Sequence, residues 1–243
     1  MTPETYEADA DPDAPRFTDR LRERSEPAFS EAAGHPFTDE LAAGTLDRDA
    51  FAAYLVQDYA VLDALVAAFG FAVGQAPDLD AKRPLVEFLD TATDGENDYF
   101  ERSFEALSVP AERYRDPDRT ETTAAFIDLL GRAAREGGYA ETLAVLVPAE
   151  WIYESWAVAA VDAHADPDTE PPSDGADLPF YYAEWIDLHA TDPFRAFVEW
   201  LRGQLDSAGP ELSPARRRRV ERLFGRTVEL ERDFFDAHYP GAR

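Results

Sequence analysis

"AVLVPAEWIYESWA", residues 144–157, decides the fold. Its apolar residues recur three and four apart, which is the rhythm of a buried helix. Yet Glu150 and Glu154 sit in the middle of it. An unpaired, ionised carboxylate in a core costs on the order of several kcal/mol, so one on an inner helix face needs a cause. The helix extends over 138–163, with Leu143, Leu146, Val147, Tyr153, Ala157 and Val161 marking its stripe. Glu150 lies on that stripe, and Glu154 lies seven residues after Val147. Pro148 removes a backbone hydrogen bond beside Glu150 and is placed to bend the helix there.

Two other helices repeat the pattern. Over 47–75, Phe51, Tyr54, Leu55, Leu62, Leu65 and Phe69 form the stripe, and Asp58 falls seven after Phe51 and four before Leu62. Over 213–238, Val220, Phe224, Thr227, Phe234 and His238 form it, and Glu231 lies between Thr227 and Phe234. Taken singly, each carboxylate is equally a helix-edge residue reaching solvent or a partner of a Tyr, Trp or Arg. Three helices each carrying one point to a shared pocket. Burial there raises carboxylate pKa values and makes the groups usable as proton donors near neutral pH.

The rest of the chain reads as helix as well. Expected spans are 17–33, 37–43, 79–108, 119–136, 179–188 and 192–207. Start signals are Asp47, Asp192-Pro193 and Ser213-Pro214. Breakers are Gly34 to Pro36, Gly74 to Pro77, Gly137-Gly138 and Gly209-Pro210. Residues 165–179 are a run of turn formers. No segment alternates with period two, and no repeat is visible. The expectation is an acidic, mobile N-terminal tail over 1–16 and a single all-α domain over 17–243, packed as a multi-helix bundle.

Composition narrows the partners. The 243 residues are 45% hydrophobic and 12% aromatic, enough for a sizeable core, and the net charge is −27. Nucleic acid is not an expected partner, because phosphate binding needs a basic face. The Arg run at 216–219 reads as a solvated helix face. Lys82 is the only lysine. Acid-rich, lysine-poor chains resemble those of salt-loving organisms, where salt screens surface repulsion. There is no cysteine, so disulfides, thiolate metal sites and a Cys nucleophile are excluded. The N-terminus is acidic, without a signal-like apolar segment, and the longest apolar run, 60–73, contains Asp63. A cytoplasmic protein that neither spans nor binds a membrane is expected.

Weaker candidates surround the carboxylates. Tyr54, Tyr59, Tyr153, Tyr181 and Tyr182 either line a pocket or pack. Trp151, Trp156, Trp185 and Trp200 read as core. His189, in "WIDLHATDPF", precedes a helix start and is a candidate donor toward a ligand. His35 and His164 sit beside breakers, suited to capping or solvation. Glycine-rich phosphate loops, G-x-S-x-G and H-E-x-x-H are absent from the sequence.

The stretch "HPFTDELAAGTLDRDAFAAYLVQDYAVL", 35–62, resembles the opening of the TenA/thiaminase II family: His-Pro-Phe, a Gly-Thr-Leu turn, then Phe, Tyr-Leu and Gln-Asp-Tyr. "VLVPAEWIYESWA" resembles that family's Pro-Cys-x-Trp-x-Tyr segment, "WIDLHATDPF" its Trp-Ile segment, and "VELERDFFDAHY" its closing helix. The resemblance implies a haem-oxygenase-like all-α fold and a homotetramer. It implies hydrolysis of a C–N bond in an aminomethyl-pyrimidine or thiamin, within thiamin salvage, without a cofactor or metal. It assigns Asp58 to the pyrimidine's 4-amino group and Glu231 to a ring nitrogen. The family's nucleophilic Cys falls on Ala149, and three of its pocket tyrosines fall on Val61, Phe126 and His189. The chain therefore looks like a member of the cysteine-less branch. Glu150, next to the missing Cys, becomes the stand-in, with Glu154 and Tyr153 beside it.

Three other functions compete with this reading. A di-iron oxidase of the same fold needs Glu-x-x-His pairs. The residues three before His35, His164, His189 and His238 are Ala32, Val161, Ile186 and Phe235, none of them acidic. A haem oxygenase needs an axial His on its first helix, and His35 lies beyond that helix. A pyrimidine- or thiamin-binding protein without catalysis is the remaining alternative.

Overall fold

The computed structural model describes residues 15–165, 178–239 and 241, and among them there is no strand. The tail expected over 1–16 lies outside the described residues up to residue 14. So does the turn-rich stretch at 166–177, together with the side chain of His164.

The chain opens with α1 (Phe17–Arg24), α2 (Ala28–Ala33) and α3 (Pro36–Ala42). One helix was expected over 17–33. The structure breaks it at Pro27, which cannot donate a backbone hydrogen bond and disfavours helix in the residue before it. His35 caps α3: its Nδ1 accepts from the Phe37 amide at 3.0 Å, with Pro36 in the first turn. Gly44 then turns the chain with φ +71°, and an added Cβ would sit 2.7 Å from Leu178.

Next come α4 (Arg48–Gln75) and α5 (Leu79–Thr91). Asp47 and Asp78 start them by accepting from Ala50 and Ala81 at 2.9 and 2.8 Å. The helix expected over 79–108 is interrupted by a wider π turn at Ala92–Glu96 and resumes as α6 (Asn97–Ala106). A short α7 (Ala111–Arg115), not expected, leads to α8 (Glu121–Glu136) and α9 (Tyr139–Ala165). The last elements are α10 (Phe180–Ala190), α11 (Asp192–Ala208) and α12 (Pro214–His238). The cap of α11 is Thr191 rather than Asp192: its Oγ1 accepts from Phe194, and Asp192 is already helical.

α9 is the axis of the bundle. It packs against α12, α11, α10, α4 and α8, and α8 and α5 cover α4. Both α4 and α9 are apolar over a membrane-length window, but 67% of the α9 window is buried inside the bundle and 39% of the α4 window. α9 is therefore a core helix, whereas α4 turns part of an apolar face outward. At the other end Arg16 Nε donates to Asp206 at 2.6 Å, and the Thr18 amide donates to the same carboxylate at 2.7 Å. These two bonds pin α1 to α11.

Candidate active site

Seven α-helices and the π turn converge on one cavity of about 90 Å³, several times the room one water needs. α4 supplies Asp58, Val61, Leu62 and Leu65. α5 and the π turn supply Phe88, Thr91 and Glu96. Phe126 comes from α8; Ala149, Glu150 and Tyr153 come from α9. Trp185, Leu188, His189 and Phe194 close one side, and Glu231 and Phe234 of α12 close the other. Aromatic faces dominate the wall, four carboxyl groups interrupt it, and no Lys or Arg is among the lining residues.

Asp58, Glu150 and Glu231 are brought together as expected, with Glu150 and Glu231 only 6% and 2% exposed. Glu150 Oε1 is buried with no hydrogen-bond partner among the described residues. Burial, with Glu96 and Asp58 nearby, drives the Glu150 pKa well above the usual carboxylate range. Burial, with Asp58 and Glu150, does the same to Glu231. The Asp58 carboxyl is pushed up to about 7 by burial, against a hydrogen bond from Tyr153 that favours the anion. Tyr153 Oη donates to Asp58 Oδ1 at 3.2 Å and lies 2.7 Å from Tyr54 Oη, so two hydroxyls run from the core to the cavity acid.

His189 lies three residues ahead of α11, as expected, but within a helix rather than in a loop. It closes the last turn of α10 and is 7% exposed. Its Nδ1–H donates to the Trp185 carbonyl at 2.8 Å. Burial lowers its pKa to about 4, so the ring is neutral at pH 7, and Nε2 is left as an acceptor. Val61 and Phe126, two of the positions matched to family tyrosines, line the cavity with His189.

Glu154 does not line the cavity. It is half-buried near Arg195, Arg202 and Glu199. The cause is geometric. At about 100° per residue Glu154 lies about 40° round from Glu150 on the side away from Tyr153, the side Val147 also takes, so both miss the cavity that Glu150 and Tyr153 line. Of the five candidate tyrosines only Tyr153 reaches the cavity. Tyr59 bonds Asn97 at 2.8 Å, and Tyr182 bonds the Leu46 carbonyl at 2.8 Å. Trp185 lines the wall, stacked on Tyr99 at 5.1 Å. Trp151 packs against Phe29, with Arg202 over its ring at 3.8 Å.

Glu96 was missed. Burial and the nearby Asp58 raise its carboxyl to about 8. One signal was available: Glu96 lies four after Ala92, three before Tyr99 and four before Phe100, all three buried.

A helical bundle enclosing an apolar cavity with a few convergent polar groups is the architecture of a small-molecule site. Comparison gives the lineage. Residues 22–240 match the TENA/THI-4/PQQC family, and the chain belongs to that family. It is 26% identical over 223 residues to the aminopyrimidine aminohydrolase of Halalkalibacterium halodurans, covering 92% of this chain and 95% of that protein. It is 22% identical to the Helicobacter pylori aminopyrimidine aminohydrolase, over 90% of this chain and 96% of that one. The solved TenA homologue from P. horikoshii superposes with a TM-score of 0.77 at 24% identity, over 93% of this chain and all of that one. The fold is the all-α haem-oxygenase-like bundle of these structures.

Proposed function

We propose that the protein is a hydrolase that replaces the amine of an aminomethyl-pyrimidine by hydroxyl, in thiamin salvage, with carboxyl groups in place of the family cysteine. The observation that carries this reading is Glu150. It is a deeply buried carboxyl beside Ala149, its Oε1 without a partner among the described residues, on a cavity also lined by Asp58 and Glu231. Curated relatives spanning over nine-tenths of the chain carry the name aminopyrimidine aminohydrolase, which supports it.

The chemistry follows from the placement. The pyrimidine lies between Phe126, Phe234, Trp185 and the Val61 side chain. Asp58, steadied by Tyr153, accepts from the 4-amino group. Glu231, protonated by its burial, donates to a ring nitrogen, which draws electrons from the exocyclic C–N bond. Glu150 takes the proton of the attacking water, or attacks the carbon itself. His189 accepts through Nε2 and orients the ring. Glu154 has no part in this scheme, because it lies outside the cavity.

We assign the protein to the cytoplasm as a homo-oligomer, most simply the tetramer. Phe71 on α4 and Leu79 and Val86 on α5 are large apolar side chains left exposed, which supports burial against another copy.

The test is incubation in molar salt with 4-amino-5-aminomethyl-2-methylpyrimidine, its N-formyl derivative and thiamin, following hydroxymethyl-pyrimidine by mass spectrometry. Product is expected, and Glu150→Gln is expected to remove it. Binding of all three ligands without product would identify a pyrimidine-binding protein. Ala149 at the family's nucleophile position is the observation that favours that second reading.

A further inference from the structure

Asp58, Glu150 and Glu231 are each used by the proposed reaction; Glu96 is not. Its place on the cavity wall depends on a local departure from the α-helix. Five residues of α-helix would leave Glu96 well round from Thr91. The π turn at Ala92–Glu96, with its wider i to i+5 bonding, brings it back to the face that carries Thr91 and Phe88. The carboxyls are spread along the wall. Asp58, Glu96, Glu150 and Glu231 line the same cavity, Glu96 reaching it from the π turn and Glu150 from α9. Among the described residues no three such side chains converge as ligands to a metal ion. No Lys or Arg lines the wall, His189 there is neutral at pH 7, and among the described residues the buried Glu150 Oε1 has no hydrogen-bond partner. What satisfies this end of the cavity is an organic cation with several N–H groups at one point. A primary ammonium, with three donors, has that form.

We propose that Glu96 and Glu150 form a subsite for a protonated primary amine, and that Glu96 makes the protein select the aminomethyl cation over its neutral N-formyl derivative. This rests on the reading of the cavity as an aminopyrimidine site. The ammonium also prepares the reaction. A cation beside the carboxyls favours their anions and so makes Glu150 a base. The bond from the ring methylene to nitrogen breaks with its electron pair going to nitrogen, and ammonia departs. Water oxygen bonds to the methylene and passes a proton through Glu150 to the ammonia. The alkylammonium and water thus become the alcohol and an ammonium ion.

The experiment compares wild type, Glu96→Gln and Glu96→Asp on the aminomethyl compound and its N-formyl derivative. It measures kcat and KM, and also ligand binding by calorimetry in two buffers of different ionisation heat. In Glu96→Gln the ratio of kcat/KM for amine over formyl is expected to fall about tenfold or more, mostly through the amine's KM. Glu96→Asp is expected to recover part of it. Wild type is expected to release roughly one proton on binding the amine near pH 7, and Glu96→Gln much less. An unchanged ratio with unchanged proton release, or equal losses on both compounds, would overturn the proposal. If wild type binds both compounds and converts neither, the hydrolase reading fails separately. The ratio of the two dissociation constants, in wild type against Glu96→Gln, then decides the subsite.

Discussion

Glu150 is a carboxyl group whose surroundings favour its neutral form. Its burial and the acids beside it raise its pKa, which sets a sign for stability. A carboxyl whose folded-state pKa is raised binds a proton more tightly folded than unfolded. Its stabilising contribution is present below the unfolded-state value and is lost as pH rises through the folded one. The unfolded values lie near 4, and Asp58 and Glu96 fold at about 7 and about 8. The melting temperature of the free protein should therefore fall between roughly pH 4 and 8. Glu150→Gln should melt a few degrees higher than wild type at pH 8 and nearly level with it at pH 5. The same substitution should lower kcat by about a thousandfold and weaken pyrimidine binding only modestly. Wild-type turnover in Glu150→Gln would remove Glu150 from the chemistry. Tyr153 gives a second prediction at this scale. Its hydroxyl favours the Asp58 anion, so Tyr153→Phe should raise the Asp58 pKa further. The acidic limb of the pH–rate profile should move to higher pH, by about one unit. A limb that stays in place would mean that Asp58 is not the group titrating there.

At the scale of elements, legibility depended on how regular each helix is. α4, α9 and α12 keep the 3.6-residue period, so Asp58, Glu150 and Glu231 could be placed on inner faces from spacing alone. Glu154 reads as inward-facing from its seven-residue step after Val147, but Val147 is buried on a side of α9 that does not line the cavity, and the step keeps Glu154 near that side. The spacing of Glu96 to Tyr99 and Phe100 is legible, but the π turn that brings it to the cavity is an irregularity that packing selects and periodicity does not announce. Pro27 itself marks the break, but the apolar rhythm continues on both sides of it and reads as one helix. One long-range link was read as mere surface. Arg216, in the Arg run of α12, makes a paired contact with Glu141 at the start of α9, at 2.9 and 2.6 Å. Glu141 is almost fully buried and also accepts from the Gly138 amide at 3.1 Å. Burial pushes its pKa up, but Arg216 and that amide outweigh it, so the net shift is downward. Here the sign is the ordinary one: the contribution is present above the unfolded-state pKa and is lost as pH falls through the folded one. Arg216→Met should cost about 1–2 kcal/mol at pH 7, reduced from the fully buried case because the Arg is half exposed. The difference from wild type in denaturant unfolding should shrink toward pH 3. A pH-independent loss would point to lost packing by the Arg stem instead.

Over the whole molecule the dominant fact is charge: 50 acidic side chains against 23 basic ones, a net of −27. Most basic residues are Arg, and many of them already hold an acid. Arg202 bridges Asp19 and Glu199, Arg232 bridges Glu31 and Asp233, and Arg16 bridges Glu199 and Asp206. Salt acts on these two features in opposite directions. It weakens exposed ion pairs, which are each worth only about 0–1 kcal/mol. It also screens the repulsion among the excess acids, which acts over many pairs at once and reaches further than a single contact. At about 0.01 M ionic strength the Debye length is about 30 Å, and at 1 M it is about 3 Å. The excess charge therefore repels across the molecule in dilute buffer and hardly beyond neighbours in molar salt. With more than two acids for each base, the repulsive sum is the larger. Thermal unfolding followed by circular dichroism should show the melting temperature rising steadily from dilute buffer to molar potassium chloride. The cavity lies inside the bundle, where screening is weak, so the amine-over-formyl preference should change far less over the same range. Equal melting temperatures at the two salt concentrations would mean that the ion pairs already balance the surface, and that the acidity is not an adaptation to salt.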